Sequence, residues 1–92
     1  MRDKILIVDD SKFNREILRD ILKDAYPTME AENGQEALDM IEKQPTEIAA
    51  VLLDIVMPVM DGVTLLKLLN EKKYLNEFPV LVVTSEQSIN LV

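Results

Sequence analysis

The sequence predicts an α/β domain built on an open parallel sheet, on the strength of three observations. Two short apolar runs of β-formers each end in an acid, Lys4-Ile5-Leu6-Ile7-Val8-Asp9 and Ala49-Ala50-Val51-Leu52-Leu53-Asp54. Unbroken runs of this kind are the pattern of strands covered on both faces, as a parallel sheet demands. Segments with apolar residues at helical spacing alternate with the strands in the order βαβαβαβ. The short connections favour right-handed crossovers, and no repeat, linker or low-complexity stretch interrupts the alternation. At 92 residues the chain is one domain's worth of polypeptide with a modest core.

Strand 1 covers Lys4 to Asp9. Phe13, Ile17, Leu18, Ile21 and Leu22 then recur at spacings of three and four, with Asn14, Arg15, Glu16, Arg19, Asp20 and Lys23 on the other face. That spacing predicts an amphipathic helix that buries the apolar set, is capped near Asp10 or Ser11 and ends by Tyr26-Pro27. Thr28 to Ala31 is a weaker, partly polar strand, as expected at a sheet edge. Asn33-Gly34-Gln35-Glu36 has the form of a capping box for a second helix, with Ala37, Leu38 and Ile41 inward and a stop before Pro45. Strand 3 is Ala49 to Asp54. Met57 to Gly62 holds a Pro and a Gly and reads as a loop, and Val63 to about Lys72, with Leu65, Leu66, Leu68 and Leu69, as a third helix. Pro79 opens a fourth strand, Val80 to Thr84. The residues from Ser85 to Val92 are too few for a further βα unit. The expectation is therefore one domain over 1–92, incomplete at its C-terminus, with an apolar strand 4 edge open to pairing with a second copy.

Composition narrows the chemistry. The chain has no His and no Cys, which excludes Ser-His-Asp triads, Cys-His pairs, His-ligated zinc and disulfides. Gly34 and Gly62 are its two glycines, so neither a dinucleotide-binding GxGxxG nor a P-loop can be written. Seventeen acids against ten bases give a net charge of −7, which repels a phosphate backbone and argues against nucleic acid as a direct partner. No apolar run is long enough for a bilayer and no signal-peptide pattern follows Met1, so a cytoplasmic address is expected. The abundant carboxylates point to hard cations.

In parallel α/β sheets, ligands bind beyond the carboxyl ends of the strands, where the winding reverses. Asp9 and Asp10 end strand 1 and Asp54 ends strand 3. If these strands are neighbours at the switch point, three carboxylates converge, at a cost in stability that a cation such as Mg²⁺ would offset. Taken singly, Asp10 reads equally well as a helix cap and Asp61 as turn chemistry. Thr84 reads as an ordinary strand residue. Asp54 is the exception, because an acid directly after five apolar strand residues is costly unless exposed or paired.

Together, Ile7-Val8-Asp9-Asp10, the Asp-x-x-Met-Pro-x-x-Asp-Gly arrangement from Asp54 to Gly62, and Val80-Leu81-Val82-Val83-Thr84-Ser85 resemble the receiver domain of two-component response regulators over all 92 residues. The resemblance implies the flavodoxin/CheY-like (βα) repeat with strand order 2-1-3-4, the fifth βα unit missing. It implies a cytoplasmic signalling phosphoprotein, with a sensor histidine kinase or phosphotransfer protein as partner. Asp54 would accept the phosphoryl group and Thr84 would close onto it. Mg²⁺ would be held by Asp10, Asp54 and the Val56 backbone carbonyl directly and by Asp9 largely through water. Catalysis would extend at most to the domain's own phosphorylation and dephosphorylation. The family's fifth-strand Lys and aromatic have no counterpart up to Val92, and Lys12, close to the acids in sequence, reads as a solvated helix-start residue. A truncated, non-switching module that dimerises through strand 4 is the alternative function. A haloacid-dehalogenase-type phosphatase is disfavoured because Val56 stands where its second Asp belongs, and a flavin binder lacks a phosphate loop and stacking aromatics.

Overall fold

A computed structural model describes residues 2–54 and 60–83. Four parallel strands form one sheet in the order β2-β1-β3-β4, with β1 at Lys4–Val8, β2 at Thr28–Ala31, β3 at Ile48–Leu53 and β4 at Val80–Val82. Helices α1 (Lys12–Leu22), α2 (Gly34–Lys43) and α3 (Gly62–Glu71) follow the first three strands, and a 3₁₀ turn at Tyr74–Asn76 leads into β4. The open parallel sheet is as the sequence predicts, and its strand order is the one the family resemblance implies. Thr84, the expected end of the fourth strand, lies outside the described residues.

β1 is covered on both sides, with Ile5, Leu6, Ile7 and Val8 all buried. Strand alternation divides these residues between two layers. Leu6 and Val8 join Val51 and Leu53 of β3 in a core closed by Ala37, Leu38 and Ile41 of α2, Leu65 and Leu69 of α3, and Phe78. Ser11 and Asn33 cap α1 and α2 as the sequence suggests, and α3 is capped by Asp61. Ser11 Oγ accepts the Asn14 N–H at 3.2 Å for α1, and Asp61 Oδ1 accepts the Thr64 N–H at 2.8 Å for α3. At α2, Asn33 Oδ1 accepts from Glu36 N–H at 2.8 Å. The Glu36 carboxylate reaches back to the Glu32 N–H, also at 2.8 Å, one residue before the position a capping box would use.

The apolar face expected to bury α1 does not do so. Phe13 and Ile21 are each 70% exposed, Ile17 is 42% exposed, and no residue of the helix is fully buried. Among the described residues α1 is the one helix that does not join the buried core cluster, and a lone helix on a sheet face can cover only part of its own stripe. The third helix begins at Gly62 and ends at Glu71, one residue ahead of the expected span at each end.

Candidate functional site

The sheet's winding reverses between β1 and β3, because β1 pairs with β2 on one side and with β3 on the other. The last paired residues are Val8 and Leu53. Their successors, Asp9 and Asp54, therefore leave the sheet side by side at its carboxyl end. The Asp54 N–H donates to the Val8 carbonyl at 2.9 Å, and the Asp9 N–H to the Ala31 carbonyl at 3.1 Å. Backbone pairing across three strands thus fixes both positions before any side-chain contact is considered.

Asp9, Asp10 and Asp54 come together there, each offering a carboxylate oxygen within 4.8 Å of the others. Asp9 and Asp54 are buried and Asp10 is exposed, so the cluster opens to solvent on the Asp10 side. At such a separation two carboxylates repel by roughly 1 kcal/mol in water and by about 3 kcal/mol at an effective dielectric constant near 20. Among the described residues this is the one such acidic group, and a divalent cation would convert the repulsion to attraction. The donor set is all hard oxygen, which fits Mg²⁺ and not a soft metal.

The Asp9 carboxylate is held at both of its oxygens. One oxygen accepts the Ser11 N–H at 2.9 Å and the other the Asn14 side-chain amide at 3.4 Å. Asp10 does not cap α1; that task falls to Ser11, which leaves the Asp10 carboxylate to the cluster. Asp61 belongs elsewhere. It caps α3, and hydrogen bonds from the Thr64 backbone N–H and then its hydroxyl hold its carboxyl below the usual range. Lys12 is 79% exposed at its side chain and approaches Glu16 at 4.0 Å, as expected of a solvated helix-start residue. Val56 and Thr84, the other two residues singled out from the sequence, lie outside the described residues.

Arg15 is a component the sequence does not reveal. Its place on the polar face of α1 suggests solvent, yet its side chain is 11% exposed. It donates to the Asp9 backbone carbonyl at 2.6 Å and to Glu30 on β2 at 3.1 Å. Gly34 is another. Its N–H donates to the Met60 carbonyl at 3.1 Å, which ties the start of α2 to the far end of the connection after Asp54.

Residues 5–92 match the family described as "Response regulator receiver domain". Chemotaxis protein CheY of Halobacterium salinarum is 44% identical over 64 residues, 68% of this chain and 52% of the relative. Sporulation initiation phosphotransferase F of Bacillus subtilis is 44% identical over 68 residues, 73% of this chain and 53% of the relative. The chain thus spans about half the length of these curated relatives. Among solved structures, response regulator protein TrrA from Thermotoga maritima, described in complex with Mg(2+)-BeF, superposes with a TM-score of 0.80 at 32% identity, covering 95% of this chain and 72% of that one. Among the described residues no helix is long and apolar enough to cross a membrane.

Proposed function

Because the chain belongs to the response regulator receiver family, we propose that it accepts a phosphoryl group on Asp54 from a phosphohistidine of a sensor kinase or phosphotransfer protein. The observation that carries this reading is the meeting of Asp9, Asp10 and Asp54 at the switch point, open to solvent on one side. In the transfer, an Asp54 carboxylate oxygen forms the new O–P bond while the P–N bond to the donor imidazole breaks and its electron pair stays on the imidazole nitrogen. The product is an acyl phosphate. Phosphoryl transfer of this kind depends on alignment and charge neutralisation more than on covalent help from the protein.

Asp10 and Asp54 would hold Mg²⁺ directly, with Asp9 acting largely through water and the Val56 carbonyl completing the protein ligands. When bound, the ion supplies neutralisation of charge on the acceptor and on the phosphoryl oxygens. Asp54 is buried, which limits water access and leaves the Asp10 side as the approach for a donor. Asp9, held on both oxygens by Ser11 and Asn14, is fixed in orientation and keeps its charge facing the pocket. Thr84 brings the hydroxyl that closes on the added phosphoryl group, and that closure passes the signal on. On this reading the exchange takes place in the cytoplasm.

The test is mass spectrometry after incubation with Mg²⁺ and acetyl phosphate. A base-labile gain of about 80 Da, one phosphoryl group, is expected in the wild type and absent in Asp54→Asn. A folded, metal-loaded wild type that gains no mass would refute the reading. A second reading is favoured by the exposure of Leu81, Val82 and Val83 at 50%, 47% and 42%. In that reading two copies pair through β4, and a clean monomer in sedimentation at high concentration would rule it out.

A further inference from the structure

The segment that carries two of the three acids is held at every polar group of Asp9. Its N–H bonds β2, its two carboxylate oxygens take bonds from Ser11 and Asn14, and its carbonyl oxygen accepts from Arg15 Nη1 at 2.6 Å. The last of these bonds has the longest reach. The Asp9 carbonyl and the Asp10 N–H belong to one rigid peptide plane, so whatever fixes that oxygen fixes the direction in which Asp10 departs. Arg15 is fixed in turn. Its Nε donates to Glu30 Oε1 at 3.1 Å, while Arg19 approaches the other Glu30 oxygen at 3.3 Å. Glu30 pairs with Ile7 in the strand register, one step from the Val8–Ala31 pair that precedes Asp9.

We propose that Arg15, anchored by Glu30, is a positioning residue for the acidic pocket, setting the Asp9–Asp10 peptide so that the carboxylates meet the narrow geometric demand of Mg²⁺. This rests on the reading of the pocket as a magnesium site. Mg²⁺ requires near-ideal octahedral coordination, whereas Ca²⁺ accepts irregular and variable oxygen sets. Partners that orient ligands without touching the metal typically govern about 10- to 100-fold in affinity. A positioning role therefore shows itself as a loss of preference between the two ions. The sign of the effect separates it from simple electrostatics, because removing a nearby positive charge would by itself strengthen binding of any cation.

Calorimetric titration of the whole chain with Mg²⁺ and, separately, Ca²⁺ tests the proposal. Arg15→Met should weaken Mg²⁺ binding about tenfold or more and Ca²⁺ binding by less. Arg15→Lys, which keeps the charge but not the fork that reaches both Asp9 and Glu30, should recover part of the loss. If Arg15→Met does not fold, Glu30→Gln leaves Arg15 in place without its anchor and should reduce the preference for Mg²⁺ in the same direction. Unchanged or tighter Mg²⁺ binding in Arg15→Met, an equal loss for both ions, or an unaltered preference in Glu30→Gln would overturn it. A wild type that binds no Mg²⁺ would instead bring down the magnesium reading itself, and the proposal with it.

Discussion

Gly34→Ala sets two effects of similar size against each other at one atom. Gly34 is the first residue of α2 and does not occupy the left-handed region, so no backbone requirement forbids a side chain. Helix propensity alone would favour Ala by about 1 kcal/mol in a helix interior, and by less at a first position. The space does not permit it. A Cβ at 34 would lie 2.6 Å from the Met60 carbonyl oxygen and 2.9 Å from both Met60 Cβ and Cγ. Relieving the contact with the oxygen to 3.0 Å moves backbone by about 0.4 Å, and strains the Gly34 N–H bond to that same oxygen. Overpacking of a fixed site typically costs about 1–3 kcal/mol, so after the propensity gain the variant should be less stable by about 1–2 kcal/mol. Urea unfolding followed by far-ultraviolet circular dichroism measures this as a lower midpoint at an unchanged slope. Because Met60 ends the connection that follows Asp54, the same variant should also slow adduct formation with acetyl phosphate. A Gly34→Ala protein as stable as the wild type, or more so, would refute the packing argument.

Other substitutions test other parts of the description. Leu65→Ala, at a fully buried position, should cost about 2–5 kcal/mol, whereas Phe13→Ala, 70% exposed on α1, should cost under about 1 kcal/mol in the same urea assay. Lys73 sits in the left-handed region at φ 66° just past α3, so Lys73→Gly should raise stability by about 0.5–1 kcal/mol, the relief of side-chain strain less the added freedom of the unfolded chain. The Asp61 carboxyl is held below its usual 3.8 by the Thr64 hydrogen bonds. Its charge therefore contributes stability above pH 3.8 that is lost as pH falls through the lowered value, and the melting-temperature gap between wild type and Asp61→Asn should close on acidification. Mg²⁺ at about 100 times its dissociation constant should stabilise the wild type by about 2.7 kcal/mol, a gain reversed by chelation and largely absent in Asp10→Asn, as thermal melts with and without the ion would record.

The elements of the fold that were legible in the sequence are those whose signal is local. The acid-terminated runs at Lys4–Val8 and Ile48–Leu53 announce two-sided strands because nothing but burial explains four and six apolar residues in succession. The turn of α2 is announced by Asn33 and Glu36, which reach each other's neighbourhood within a single turn. The burial of α1 was not legible, because periodicity reports which face is apolar and says nothing of how much neighbouring structure exists to cover it. The meeting of Asp9, Asp10 and Asp54 followed from the strand-end rule once β1 and β3 were taken as neighbours. The support around it did not. Arg15 meets Glu30 across fifteen residues and Gly34 meets Met60 across twenty-six, and in each case an ordinary polar or small residue acquires its role only through tertiary structure.

The register of β1 on β3 has a kinetic side. Asp9 and Asp54 stand 45 residues apart along the chain, and their neighbourhood exists only once a strand from the beginning of the sequence has zipped onto one from beyond its middle. No peptide that lacks either strand carries the pocket, and a growing polypeptide acquires it only after the third strand is made. The acids are thus brought together by long-range pairing and by no local contact. A cation that recognises them acts on the finished fold, slowing its opening more than hastening its formation.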